Sequence, residues 1–213
     1  MIKHIYLFTG LGANEKVFHR LDLSGYNITF IQWPTPGKNE SIENYATRLI
    51  SQIKTKRPTL IGLSFGGLMA IEVAKQIDTE KVIVIASAKT KNEIPFYYRY
   101  AGKLGINRLL PARVFKRSGF IKNWSFGTTS PSDKELLGQI LLVTEPVFLK
   151  WAIDKVLHWN NSTLLNNVTH IHGTRDRILP YRFVKSDLTI QNGGHLMTLN
   201  NAEELSRMLR EII

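Results

Sequence analysis

The octet Leu60-Ile-Gly-Leu-Ser-Phe-Gly-Gly67 constrains this chain more than any other stretch. It ends one apolar, strand-like run and opens a second segment, 65–77, that is apolar around most of its helical circumference. Gly62-x-Ser64-x-Gly66 at that junction reads as a strand, a sharp turn and a buried helix in immediate succession. A serine at the apex of such a turn is strained and holds its Oγ exposed. A Cβ at either flanking glycine would crowd the turn.

The same alternation repeats along the chain. Short β-rich runs are expected at 4–8, 28–32, 59–63, 82–86, 168–172 and 187–191, several of them continuously apolar. Strands of that kind are covered on both faces, so a mostly parallel sheet with crossover helices is expected. Ile42, Tyr45, Ala46, Leu49, Ile50 and Ile53 form one helical stripe, and Leu205, Met208, Leu209 and Ile212 form another. Asn201 and Glu204 have capping-box spacing ahead of the latter. Residues 89–160 break the alternation. They carry helical patterns (Leu136, Leu137, Ile140 and Leu141, then Phe148, Trp151 and Ala152) and no convincing strand. A single domain over 1–213 is expected, with this stretch as a helical cap inserted after the fourth strand.

Serine is a poor nucleophile at neutral pH. It needs a base, and the base needs a partner that fixes its tautomer. Asp176, in His-Gly-Thr-Arg-Asp, and His195, in Gly-Gly-His-Leu, follow Ser64 in the order nucleophile, acid, base. Each lies just past an expected strand, and the ends of parallel strands share one edge. The backbone N–H groups of Phe65 and Leu11 are the expected oxyanion donors, with Gly10 and Gly12 letting the first loop approach the substrate. Phe96, Tyr97, Tyr100, Trp124 and Phe126 are candidate lining for a substrate pocket under the cap. His170 and His172 are assigned to opposite faces of one strand, and no metal site is expected. Glycines 10 and 12 lack the third glycine of a nucleotide loop.

The chain has no cysteine, so neither disulfides nor thiolate chemistry enter. No run of apolar residues is long enough to span a bilayer, and a cytoplasmic protein is expected. The net charge is +11. Lys89, Lys91, Arg99, Lys103, Arg108, Arg113, Lys116, Arg117 and Lys122 crowd one stretch, opposed only by Glu93. A solvated basic surface or an acidic partner both fit; nucleic acid does not, because no recognition module is present.

With these segments in view, the chain resembles the α/β-hydrolase superfamily over nearly its whole length. The matching stretches are Phe8-Thr-Gly-Leu-Gly, Trp33-Pro-Thr-Pro-Gly37, Gly62–Gly66, His172-Gly-Thr-Arg-Asp176 and Gly193-Gly-His195. The resemblance implies a Ser64–Asp176–His195 triad, a mostly parallel central sheet flanked by helices, a helical lid, and no cofactor or metal. Thr9 stands where many members carry the histidine of a His-Gly motif. Trp33 replaces a common aspartate, and strands that usually precede the first are expected to be absent. The expected activity is hydrolysis of a carboxylic ester or thioester of a small or acyl-chain substrate through an acyl-enzyme. The alternatives are a non-catalytic member that binds a ligand or partner, and an esterase acting on acyl chains held by an acidic carrier protein.

Overall fold

The computed structural model describes residues 3–11, 13–105, 131, 135, 138–139 and 145–213. Six strands form one sheet: β1 (His4–Phe8), β2 (Asn27–Phe30), β3 (Thr59–Leu63), β4 (Lys81–Ile85), β5 (Val168–Gly173) and β6 (Leu188–Ile190). Their order is β2-β1-β3-β4-β5-β6, and every neighbouring pair is parallel. The order reverses between β1 and β3, so the loops leaving those two strands diverge and open a crevice at their C-terminal ends.

Strand alternation sorts the core into two layers. Tyr6, Phe8, Leu60, Val82 and Val84 pack on one face against α1 (Ile42–Ile50), α2 (Phe65–Ala74) and the buried side chains of a later helix, Pro146–His158. Ile5, Leu7, Ile61, Leu63, Ile83, Ile85, Ile171 and Ile190 pack on the other against Met197, Leu199, Leu205 and Leu209. Full burial of one such side chain is worth about 1.5–3 kcal/mol, so strands covered on both faces anchor the fold. Each residue of α2 is buried, in keeping with its apolar circumference.

Between β4 and β5 the described residues include a 3-10 turn at Lys91–Glu93 and the helices α3 (Phe96–Lys103) and α4 (Pro146–His158). The helical pattern at Phe148, Trp151 and Ala152 is realised in α4; Leu136, Leu137, Ile140 and Leu141 lie outside the described residues. A short helix α5 (Met197–Asn200) leads into α6 (Ala202–Ile212).

The capping box at Asn201 is not formed. Its side chain caps nothing, and its N–H already donates to Met197 O at 3.0 Å. Because α5 runs straight into α6, the amide that Glu204 would have accepted is spent. Among the described residues, no helix is long and apolar enough to cross a membrane.

Candidate active site

Ser64 sits between β3 and α2 with φ 56° and ψ −121°, a backbone conformation an L-residue rarely adopts. Such strain costs on the order of 1–3 kcal/mol and persists only where the surroundings enforce it. Here the glycines enforce it. A Cβ on Gly62 would come within 2.3 Å of Gly66 O, and one on Gly66 within 2.2 Å of Phe8 O. A Cβ on Gly67 would meet Ser87 Oγ at 2.4 Å. Two further bonds hold the turn. Ser64 N donates to Ile85 O at 2.9 Å, and Ser87 Oγ donates to Ser64 O at 2.7 Å.

The three residues singled out in the sequence meet at the rim of the sheet. His195 Nε2 lies 2.8 Å from Ser64 Oγ, and His195 Nδ1 lies 2.7 Å from Asp176 Oδ2. Asp176 leaves a tight turn after β5, where its Oδ1 accepts from the N–H groups of Ile178 and Leu179, both at 2.9 Å. Gly173 and Gly193 let the β5 and β6 loops touch: a Cβ on Gly173 would meet Gly193 O at 2.2 Å. Burial opposes charge on Asp176, but the adjoining His195, His172 and Leu179 N–H outweigh it and hold the carboxyl below its ordinary range.

The loop after β1 reaches the same place. Gly10 to Ala13 is a turn closed by Ala13 N donating to Gly10 O at 3.0 Å. A Cβ on Gly10 would sit 3.5 Å from Ser64 Cβ, so this loop lies directly against the Ser64 turn. Leu11 occupies that turn, and Phe65 is the first residue of α2, where a helix leaves its own N–H groups unused. Thr9 Oγ1 accepts from Trp33 Nε1 at 2.7 Å, which fixes the loop from its other side.

The aromatic surroundings differ from the lining expected. Phe96 and Tyr100 are 60% and 62% exposed, and Phe96 and Tyr97 pack on Phe183. Trp124 and Phe126 lie outside the described residues, as do Gly12 and Arg108, Arg113, Lys116, Arg117 and Lys122. Trp33, Phe65 and Phe148 form one aromatic cluster, with ring centroids 5.7–6.0 Å apart. Trp33 and Phe148 line a cavity of about 450 Å³ together with Thr9, Phe30, Ile31 and Thr35 and the polar Asn14, Glu15, Lys16, Gln32 and Glu145. The sequence pointed to none of these as lining. Trp33 was visible there only as a tryptophan in the place of an aspartate.

His170 and His172 share a face of β5, contrary to their assignment to opposite faces. Residues two apart on a strand point the same way, and the rings meet with His170 Nε2 3.0 Å from His172 Nδ1. Among the described residues, no group of His, Cys, Asp or Glu could hold a metal ion. Of the basic stretch, Lys89 is engaged by Asp187 at 3.1 Å.

No protein-family model and no curated protein sequence matches the chain. Solved structures do. A thermophilic esterase from Thermogutta terrifontis superposes with a TM-score of 0.72 at 17% identity, over 98% of this chain and 88% of that one. A bromoperoxidase from Bacillus anthracis gives a TM-score of 0.69 at 16% identity, over 100% and 92%. A lipase-esterase related protein from Clostridium acetobutylicum gives 0.69 at 16%, over 99% and 94%. At these identities the likeness is one of architecture. The chain has the α/β-hydrolase fold, with a single six-stranded parallel sheet and helices on both of its faces.

Proposed function

We propose that this protein is a serine hydrolase that cleaves a carboxylic ester or thioester through an acyl-enzyme. The observation that carries the reading is the unbroken path Ser64 Oγ–His195–Asp176, with contacts of 2.8 and 2.7 Å. The esterase and lipase-esterase names among the structural neighbours accord with it.

Asp176, ionised, accepts the Nδ1–H of His195 and leaves the Nε2 lone pair facing Ser64. Ser64 Oγ attacks the substrate carbonyl while His195 takes its proton. The resulting oxyanion is held by the N–H groups of Phe65 and Leu11, each such donor being worth about 3 kcal/mol in the transition state. His195 then protonates the departing alkoxide or thiolate as the tetrahedral adduct collapses to the acyl-enzyme. Water, deprotonated by the same imidazole, attacks the acyl carbonyl and restores Ser64.

The cavity beside Trp33 and Phe148 is of a size that accepts a small acyl or alcohol group. Residues 89–160 form the cap in this reading. The test is labelling with a fluorophosphonate, paired with turnover of p-nitrophenyl acetate and butyrate. One equivalent of label on Ser64, lost together with turnover in Ser64→Ala, is the expected result. Equal turnover by wild type and Ser64→Ala would overturn the proposal.

A further inference from the structure

The cluster of buried polar side chains does not stop at Asp176. His172 Nε2 lies 3.4 Å from Asp176 Oδ2, the oxygen that also receives His195, and 2.8 Å from Leu179 O. His172 Nδ1 faces His170 Nε2 at 3.0 Å, and His170 Nδ1 faces Glu93 Oε2 at 3.8 Å. All four residues are buried.

Elementary bookkeeping fixes the protons. A carbonyl oxygen only accepts, so His172 must carry its hydrogen on Nε2. Its Nδ1 is then a bare acceptor, and His170 must donate to it from Nε2. That leaves His170 Nδ1 bare, and among the described residues this atom has no hydrogen-bond partner. One backbone carbonyl therefore dictates the tautomers of two histidines, and the Nε2–H of the first, bonded to that carbonyl, lies with its nitrogen 3.4 Å from the carboxylate oxygen that supports His195.

We propose that His172 is a positioning residue for the triad: locked in its Nε2–H form by Leu179 O and His170, it turns a fixed N–H dipole on Asp176 and limits how strongly that carboxylate draws the His195 proton. This rests on the reading of Ser64, His195 and Asp176 given above.

The charged and titratable neighbours agree with the assignment. Burial holds both histidines below their ordinary range, so the rings are neutral and the contact to Asp176 is a dipole on an anion rather than an ion pair. Around His170 stand His172 on its own strand, Glu93 and Lys89 from the segment after β4, and Asp187, whose Oδ2 accepts from His170 N at 2.7 Å. Glu93 accepts from the N–H groups of Lys89 and Lys185, and burial pushes its carboxyl up. Around His172 stand Asp176, His195 and the ring of Tyr181. Tyr98, pushed up to about 12 by burial, donates to Ile178 O at the edge of the Asp176 turn.

The first measurement needs no variant. Nitrogen-15 shifts of the imidazoles at about pH 6 should show His170 and His172 neutral, each with its hydrogen on Nε2, where an exposed histidine would be largely protonated. A hydrogen on His172 Nδ1, or a cationic His172, overturns the proposal. The second measurement is the pH dependence of fluorophosphonate labelling. Removing the N–H in His172→Phe strengthens the pull of Asp176 on the imidazole proton, so the acidic limb should move up by about one pH unit. His172→Gln, which can place an N–H near the position of Nε2, should restore the wild-type limb. A merely structural histidine would lower stability in both variants and leave the limb where it was, and that outcome also overturns the proposal. If wild type takes no label, the ester-cleavage reading fails, and the ring shifts still decide the tautomers on their own.

Discussion

The two strand ends that build the site are held by different physics. At the end of β3, Ser64 is fixed by shape: three glycines with no room for a Cβ, and backbone carbonyls packed against them. At the end of β5, Asp176 is fixed by polar and ionisable groups, with His195 hydrogen-bonded to one oxygen, His172 3.4 Å from that same oxygen, and two amides on the other. Steric confinement does not respond to pH. A cluster of titratable side chains does. The placement of Ser64 is therefore expected to be insensitive to acid, while that of Asp176 and His195 is not.

The sharpest way to break the comparison is at its centre. Ser64→Ala should cost on the order of 10⁶-fold in esterase kcat, read from burst-free turnover. Asp176→Asn keeps the shape of the β5 arm but lets His195 adopt the wrong tautomer, for a loss on the order of 10⁴-fold in kcat. Its fluorophosphonate labelling should slow in parallel while the circular dichroism spectrum stays native. If Asp176→Asn cost less than tenfold, the β5 arm would not be the activating one.

Stability should separate the arms next. Gly66→Ala forces a Cβ against two backbone carbonyls that cannot yield, so a loss of about 3 kcal/mol is expected in urea denaturation, equal at pH 5 and pH 8. The β5 arm should instead show a pH slope. His170 and His172 have folded-state values below their ordinary 6.5. The unfolded chain thus takes up protons first, and the stabilisation present above about pH 6.5 is lost as pH falls. Each histidine contributes up to about 1.4 kcal/mol per pH unit. Asp176, held below its ordinary 3.8, adds a loss of the same sign below about pH 4. Glu93 works the other way: its value is raised, so its contribution declines as pH rises through that value. His170→Gln should flatten the slope between pH 6.5 and 5. The smallest effect expected is Ser87→Ala, which removes one hydrogen bond to Ser64 O and costs about 1 kcal/mol at any pH.

The contrast also explains what was readable in the sequence. The β3 arm is written in residue types. Gly62, Gly66 and the apolar runs on either side specify a turn, and the strands and helices follow from periodicity. Asp176 and His195 were legible because each follows a strand, and parallel strand ends meet. The β5 arm's deeper members were not. His172 lies four residues before Asp176, and only the tightness of the intervening turn brings Nε2 to the carboxylate. Parity on the strand does place His170 and His172 on one face, and the assignment to opposite faces misread it. The local capping signal at Asn201 failed because α5, a tertiary feature, had already used its amide. Aromatic pocket lining was sought in α3 and at Trp124 and Phe126, whereas the rings that cluster at the cavity come from separated positions, Trp33 and Phe148. No local pattern announces such a convergence.

The bond from Ser87 has a mechanical consequence. The oxygen it grips belongs to Ser64, and Ser87 itself is the second residue after β4, at the root of the long excursion that returns as β5. The excursion is thus hitched to the Ser64 turn almost at its start. A displacement of the chain at Ser87 would therefore be felt at the backbone oxygen of Ser64, one bond system away from the hydroxyl.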